Sequence, residues 1–411
     1  MVDLVIIGGG ASGLMAAAIA APSGKKTVLL EKKDECGRKM LLTGKGRCNI
    51  TNSRPWEDFQ EHIHPDPSFF KNAFFEFSNT DIVEFLNGAG LQTVEERGMR
   101  IFPVTQKSVD VRNTFLNYLS RYPNLTIRYS SEVVSVQKTE KGIFKIEGIQ
   151  QTAVLSHFIY EASAVIIATG GLSYPVTGST GDGYRFAERF GHKIIPTHPS
   201  LTALMPKFYD SRLIGLTLKN VSLSLEVDGN VVQNEFGELT FTNGGIEGAL
   251  GFRVSRKAVK ALNSGQKVRL IIDLKPALSV DQLKKRVEKD YKAGMTLNMF
   301  LNSYLPLQLI SPFISMSDNL NIQNLPVRLK NWTVDIKSYV GYERCVVTAG
   351  GVDIKEISRK TMESKKVKGL FFSGEVMNLD ADTGGYNLQI AFSTGALAAK
   401  SAVKYLESVN N

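Results

Sequence analysis

Leu4-Val-Ile-Ile7-Gly8-Gly9-Gly10-Ala11-Ser12-Gly13, then small residues to Ala21, then Thr27-Val-Leu-Leu30-Glu31, is the stretch that decides the fold. Four apolar residues read as a buried strand, and the glycines end it. The alanine-rich run reads as a helix closed by Pro22-Ser-Gly24, and the second apolar run is another strand. Strand, glycine turn, helix and strand make a βαβ unit, hence a parallel sheet covered by helices. Gly8, Gly10 and Gly13 carry dinucleotide-site spacing. Gly8 permits the tight turn, Gly10 lets backbone approach a pyrophosphate, and Gly13 lets the helix pack on the strand. The helix start at Ala11 and Ser12 offers free N–H groups and a partial positive charge to phosphates. Glu31, with Lys32 beside it, ends the second strand, where a carboxylate accepts hydrogen bonds from ribose hydroxyls and disfavours a 2′-phosphate. That argues against NADP here. The glycine motif by itself does not separate FAD from NAD.

Downstream lies a loop rich in glycine and cations, Cys36-Gly-Arg38-Lys39 and Thr43-Gly44-Lys-Gly46-Arg47-Cys48-Asn49. Its glycines let N–H groups face a ligand, and its charges suit an anion. Cys48 reads as a packing residue, with a reactive thiol as the alternative. Residues 125 to 147 alternate as short strands and include Val134 as a cofactor contact. A third motif ends the apolar strand Ala164–Ala168: Thr169-Gly170-Gly171-Leu-Ser-Tyr174-Pro, then Gly178-Ser-Thr-Gly-Asp-Gly183. Ligands bind at such carboxyl edges in open α/β sheets. The fourth is Ser373-Gly374-Glu375, then Asp382-Thr-Gly-Gly385-Tyr-Asn387-Leu388 and a helix. Glu375 suits ribityl or ribose hydroxyls, and the helix start near Asn387 can aim its dipole at the N1–C2=O edge of a flavin. Tyr174 and His198 are the candidate proton donors beside Cys48; packing is the competing role for Tyr174.

Composition limits the alternatives. The chain has 411 residues, 43% hydrophobic and 22% charged, enough for two or three globular domains. A net charge of +9 suits an anionic cofactor or substrate, and the densest basic stretch, Arg253–Lys292, reads as a solvated face. No RNA-binding motif accompanies it, so nucleic acid is not the expected partner. Three cysteines without a CxxC pair fit a reducing cytoplasm. Met1-Val-Asp-Leu enters a strand at once, so no signal peptide is read, and no apolar run reaches the length of a membrane span. The five histidines, His62, His64, His157, His192 and His198, form no metal-ligand pattern, and no metal is expected.

Gly37-Arg-Lys, Thr43-Gly-x-Gly-Arg-Cys-Asn-x-Thr-Asn52, Arg100-x-Phe-Pro103, the third motif through Gly183, Thr361-Met-Glu-Ser-Lys365 and Gly374 to Gln389 resemble the BaiN-like family of NAD(P)/FAD-dependent oxidoreductases. The matches run from Gly8 to about Ala399. The resemblance implies one FAD per chain on a Rossmann-like α/β domain, an inserted β-rich, barrel-like domain and a small helical domain. With the texture changes near Pro196 and Gly341, this gives residues 1–195 and 341–411 as the discontinuous FAD domain. Residues 196–275 and 325–340 form the β-rich domain, and 276–324 the helical subdomain. Relatives tend to read Phe-Thr-His-x-Gly-x-Ser-Gly-Pro in the insert, where this chain has Phe241-Thr-Asn243-Gly-Gly-Ile-Glu247-Gly-Ala249. Asn243 cannot titrate as a histidine would.

The expected activity is hydride transfer between flavin N5 and an electron-poor C=C or C–H of a small organic substrate. No second GxGxxG unit exists, so NADH or NADPH is expected only as a transient donor. Two rival readings are a flavin-dependent RNA-modifying enzyme and a FAD-holding redox sensor that uses Cys48. Oligomeric state has no sequence signal.

Overall fold

A computed structural model describes residues 1–151, 155–317 and 319–410. It divides into two compact units, residues 1–197 with 347–411 and residues 198–346.

The first unit is built on the predicted βαβ element. Strand Val2–Ile7 runs parallel to Thr27–Leu30 on one side and to the end of Leu155–Ile167 on the other. Leu125–Arg128 adds a parallel edge beside Thr27–Leu30, and Leu370–Phe372 pairs parallel with Val165–Ile167. Leu4 to Ile6 are fully buried, as an unbroken apolar run requires of a strand covered on both faces. The strand predicted over Ala164–Ala168 begins nine residues earlier, at Leu155. Its first half pairs antiparallel with Phe144–Gln151 and exposes Leu155, His157, Ile159 and Glu161, so a half-exposed antiparallel segment extends the buried parallel strand. Apolar content alone does not reveal such a half-exposed extension.

Helix Ala11–Ala20 lies against the C-terminal helix Tyr386–Asn410, which brings the end of the chain back to its first motif. The fit is close: a Cβ at Gly395 would sit 2.3 Å from the Ser12 carbonyl oxygen. Thr93–Glu96 pairs with Arg100–Pro103 in a hairpin that turns at Arg97-Gly98.

The second unit is a closed six-stranded barrel: Leu204–Pro206, Gly245–Glu247, Asn230–Thr242, Thr217–Val227, Val268–Asp273 and Trp332–Tyr339. A turn at Asp228-Gly229 joins its two longest strands. Helix Gly248–Asn263, which the β-rich reading passed over, packs on the barrel through Leu250, Val254 and Ala258. The helical stretch within 276–324 consists of Val280–Lys292, Leu297–Tyr304 and Leu307–Ser315. Ala293-Gly294 and Pro306 supply the stops. Ser279 and Gln282 form a capping box at the start of the first. Val287, Phe300, Leu301 and Phe313 from these helices join Trp332 and Phe241 in the barrel's core rather than a core of their own. Among the described residues, no helix is long and apolar enough to cross a membrane.

Candidate functional site

The first glycine turn shows why its spacing is fixed. A Cβ at Gly13 would lie 1.8 Å from the Gly8 carbonyl oxygen, and one at Gly8 would lie 2.5 Å from the Ala168 oxygen. Gly8 also holds a φ of 106°, a region that side chains avoid. At Gly10 nothing lies within 4 Å of a built Cβ. The middle glycine therefore faces open space while its neighbours are pinned by backbone. That is the arrangement a ligand's approach requires, and packing alone does not explain it.

Glu31 closes this turn. Its Oε2 accepts from the Gly9 N–H at 2.7 Å and its Oε1 from the Lys33 N–H at 2.8 Å. Burial pushes its carboxyl pKa up, against the pull of those two N–H groups and of Lys32 and Lys33. Lys32 turns to Asp182 at 2.5 Å and Thr180. Val134 sits at a bulge: its strand pairs Val133 with Gly148 and Ser135 with Glu147, which leaves Val134 outside the ladder. Its backbone groups are freed there, with the side chain exposed.

The four motifs, distant in sequence, converge. Gly37 donates to the Gly9 carbonyl at 2.9 Å, so the basic loop starts against the glycine turn. Lys39 Nζ donates to Ser173 Oγ at 2.8 Å and to Glu375 Oε2 at 3.1 Å, joining the second, third and fourth motifs in one contact. Glu375 Oε1 also accepts from Ser173 Oγ at 2.6 Å and from the Thr348 N–H at 2.9 Å. Burial alone would raise this carboxyl, but Lys39, Ser173 and Thr348 outweigh it and hold the pKa below the usual carboxylate value. Gly374 lies on Ser12, where a Cβ would meet Oγ at 2.7 Å, and Gly385 lies equally close to the Thr51 backbone. Asn52 Nδ2 donates to the Gly384 carbonyl at 3.2 Å. Asn387 anchors the segment before the C-terminal helix, donating to the Ala381 and Asp382 carbonyls and accepting from the Ala381 N–H. Leu388 is half-buried in the helix's first turn. Gly170 (φ 71°) and Gly171 pack against Ser179 and Thr348.

Three residues of the basic loop make contacts of their own. Cys48 is fully buried, and burial pushes its thiol up to about 12 against a hydrogen bond from Thr43. That favours the packing role over the reactive thiol and weakens the redox-sensor reading, because a buried thiol stays protonated near neutral pH. Arg47 is committed elsewhere: Nη1 meets Glu96 at 3.1 Å and Gln106 at 2.9 Å, and the guanidinium lies over Phe102. Arg38 pairs with Asp34 and Glu35. Lys45 is exposed, and Lys39 reaches the other motifs. Gly44 packs on the Asn49 N–H, whereas Gly46 faces open space.

Tyr174 adopts a left-handed backbone (φ 50°) before a short turn, half-buried, its carbonyl accepting from Thr177. His198 is half-buried on the strand Ile194–Ser200.

Sequence reasoning missed Ser173 and Thr348, the groups that fix Glu375. Ser173 lay inside a quoted motif without a role. Thr348 carried a usable signal, since the strand Val347–Val352 contains Ala349-Gly350-Gly351, with both glycines at positive φ. His62 and His64 were also passed over. Their rings meet the two oxygens of Asp382, His62 Nδ1 at 2.9 Å and His64 Nε2 at 3.1 Å. Burial would raise the Asp382 carboxyl, but the two rings hold it down, at about 2.

In the barrel unit, the residues that depart from the relatives' pattern meet around one guanidinium. Arg344 Nη1 donates to Asn243 Oδ1 at 3.1 Å and Nη2 lies 3.6 Å from Glu247 Oε1, which also accepts from Thr242 Oγ1. Among the described residues, no group of histidine, cysteine and acidic side chains is arranged to hold a metal.

The family described as HI0933-like protein Rossmann domain matches residues 2–401. The chain belongs to this family of flavoprotein oxidoreductases. It is 30% identical to the 3-dehydro-bile acid delta(4,6)-reductase of Clostridium scindens, over 97% of this chain and 98% of that one. It is also 30% identical to the ribosomal RNA dihydrouridine synthase of Escherichia coli, over 98% of each. Among solved structures, a 3-ketosteroid-Δ4-(5α)-dehydrogenase from Rhodococcus jostii matches with a TM-score of 0.55 and 14% identity, covering 98% of this chain and 96% of that one. At that identity the likeness shows the fold alone.

Proposed function

We propose that this protein binds FAD along the line from Val134 to Asn387 and reduces a carbon–carbon double bond conjugated to a carbonyl. The observation that carries the reading is the open space at Gly10 between two glycines locked by backbone contact. Two buried polar atoms add support: Asn49 Oδ1 and Thr169 Oγ1 have no partner in the protein, as groups that serve a ligand would.

In this reading the bulged Val134 backbone takes the adenine, Glu31 the ribose hydroxyls, and the N–H groups at Gly10–Gly13 the diphosphate. Glu375, ionised and fixed by Lys39, accepts from the ribityl hydroxyls. Gly385, Asn387 and Leu388 present the start of the C-terminal helix to the pyrimidine edge, where its partial positive charge favours negative charge. When bound, the flavin supplies hydride transfer at N5. The protein's own part would be to orient the ring and to keep Glu375 ionised for the hydroxyls.

The substrate class rests on the relatives' names. A bile acid delta(4,6)-reductase and a dihydrouridine synthase both describe saturation of a C=C beside a carbonyl, one on a steroid and one in RNA. A small enone fits the absence of an RNA-binding motif; the RNA reading is favoured by the second relative and by the net charge of +9. The test is to reduce the purified yellow protein anaerobically with NADH, NADPH or a chemical donor. A steroid enone and unmodified ribosomal RNA are then added separately. Reoxidation of the flavin by the enone alone supports the small-molecule reading, and reoxidation by RNA alone replaces it with the RNA one. Failure of both removes the reductase reading.

A further inference from the structure

His62, His64 and Asp382 form a cluster that no step so far uses. The chain is extended at Ile63, so the two rings project to the same side. They share one carboxylate, each on its own oxygen. An ionised carboxylate only accepts, so His62 Nδ1 and His64 Nε2 both carry hydrogens, and the proton-exchanging positions are His62 Nε2 and His64 Nδ1. All three side chains are half-buried rather than sealed.

Several contacts tie the cluster to the segment that opens the C-terminal helix. His64 pairs with Asp380 and Ile63 with Ala381 in a two-stranded ladder, and the Asp382 N–H donates to the His62 carbonyl. The His62 ring stacks on Tyr386, the first residue of that helix, with centroids 4.2 Å apart. Asn387 clamps the same backbone at Ala381 and Asp382. A change of charge at the start of the helix is therefore felt by two imidazoles held within a few residues of it.

We propose that the His62–Asp382–His64 cluster is the proton store of the flavin site, taking up one proton when the cofactor is reduced and giving one up when substrate is reduced. The inference rests on the FAD reading above. Saturating one C=C requires two electrons and two protons. The cofactor supplies two electrons with one proton, and an imidazolium of the cluster supplies the other, becoming neutral imidazole and regaining its proton from solvent. With both rings neutral the cluster carries the single charge of Asp382; one proton brings it to zero. That proton belongs to the pair of rings rather than to either one. Asp382 stays ionised throughout, because the rings hold its carboxyl at about 2. The other titratable groups on the elements packed around the cluster are Glu57, Asp58, Glu61, Asp66, Lys71, Glu76, Asp380 and Tyr386, with Lys400, Lys404, Tyr405 and Glu407 at the far end of the C-terminal helix; Glu57 and Asp58 are exposed. Glu61, Asp66, Lys71 and Glu76 are exposed, and Asp380 and Tyr386 are buried. Asp382 and Tyr386 act here as positioning residues.

The experiment uses the FAD-loaded protein. Protons taken up per two electrons are read from the way the flavin midpoint potential moves with pH between about 5 and 8, where imidazoles titrate. The unmodified protein is compared with His62→Gln, His64→Gln and Asp382→Asn. The expected result is about one extra proton in the unmodified protein, reduced or lost in each variant. Equal uptake in all four proteins, each with flavin bound, overturns the proposal. Should the variants fold poorly, the ring signals of His62 and His64 are followed by NMR in the unmodified protein, oxidised and photoreduced. A shift towards the protonated form on reduction supports the store, and unchanged signals overturn it. An unmodified protein that takes up no FAD fails the flavin reading instead, a different outcome.

Discussion

The two glycine-rich loops of the first unit look alike in sequence and differ in what their residues do. At Gly8–Gly13 the glycines are set by backbone: two positions have no room for a Cβ, and the one between them faces open space. At Gly44–Asn49 the residues that draw attention are cations and a thiol, and there the structure spends them on its own contacts. Arg47 goes to Glu96 and Gln106, Arg38 to Asp34 and Glu35, and Cys48 is buried. Glycine spacing reports local backbone geometry, which a sequence carries. A charge reports a site only when its partners are known, and these partners lie up to about 60 residues away.

That contrast breaks most sharply at Gly13 and Gly10. Gly13→Ala puts a methyl 1.8 Å from a backbone oxygen that cannot move alone. We expect a loss of more than about 3 kcal/mol, or no folded protein, in a denaturant titration. Gly10→Ala meets nothing in the protein, so its unfolding midpoint without cofactor should stay within about 1 kcal/mol of the parent, while FAD affinity falls at least about tenfold. Equal effects of the two substitutions on stability would remove the distinction between packing and ligand glycines.

Lys39→Met comes next. It leaves Glu375 partly buried without its cation, and a loss of about 1–3 kcal/mol is expected in chemical unfolding, together with weaker flavin retention. Arg47→Ala sharpens the same comparison from the other side. Its ion pair is partly exposed, so a change of about 0–1 kcal/mol and unaltered FAD binding are expected. A tenfold loss of FAD affinity in Arg47→Ala would add Arg47 to the cofactor contacts.

A smaller effect appears with acid. The Asp382 pKa is held below that of the unfolded chain, so its contribution is present above the ordinary carboxylate range and is lost as pH falls from about 4 towards about 2. Asp382→Asn should show a shallower loss of stability across that window than the parent, by thermal melting at fixed ionic strength. Parallel curves would mean that the two rings do not stabilise the ionised carboxylate.

The sheet, the helix that covers it and the return of the C-terminal segment were legible because each rests on local pattern: apolar runs, GxGxxG spacing and an alanine-rich helix. The helix Gly248–Asn263 was not, since the basic stretch from Arg253 drew the reading while its buried Leu250, Val254, Ala258 and Val259 are interleaved with Arg253, Arg256, Lys257 and Lys260. At the candidate site, Glu31 and Glu375 were found as acids at strand ends. Ser173 and Thr348, which hold Glu375 in place, were not, because a single hydroxyl has no pattern until the chain is folded around it. The His62–Asp382–His64 cluster escaped for a related reason: its carboxylate lies 318 residues from the nearer histidine.

The most direct test of the account is titration of the cofactor-free chain with FAD, following the visible flavin spectrum and the amount retained after desalting. The account predicts one FAD retained per chain, with Gly10→Ala folded but impaired. A folded chain that retains none after reconstitution, and for which Gly10→Ala behaves as the parent, would contradict it.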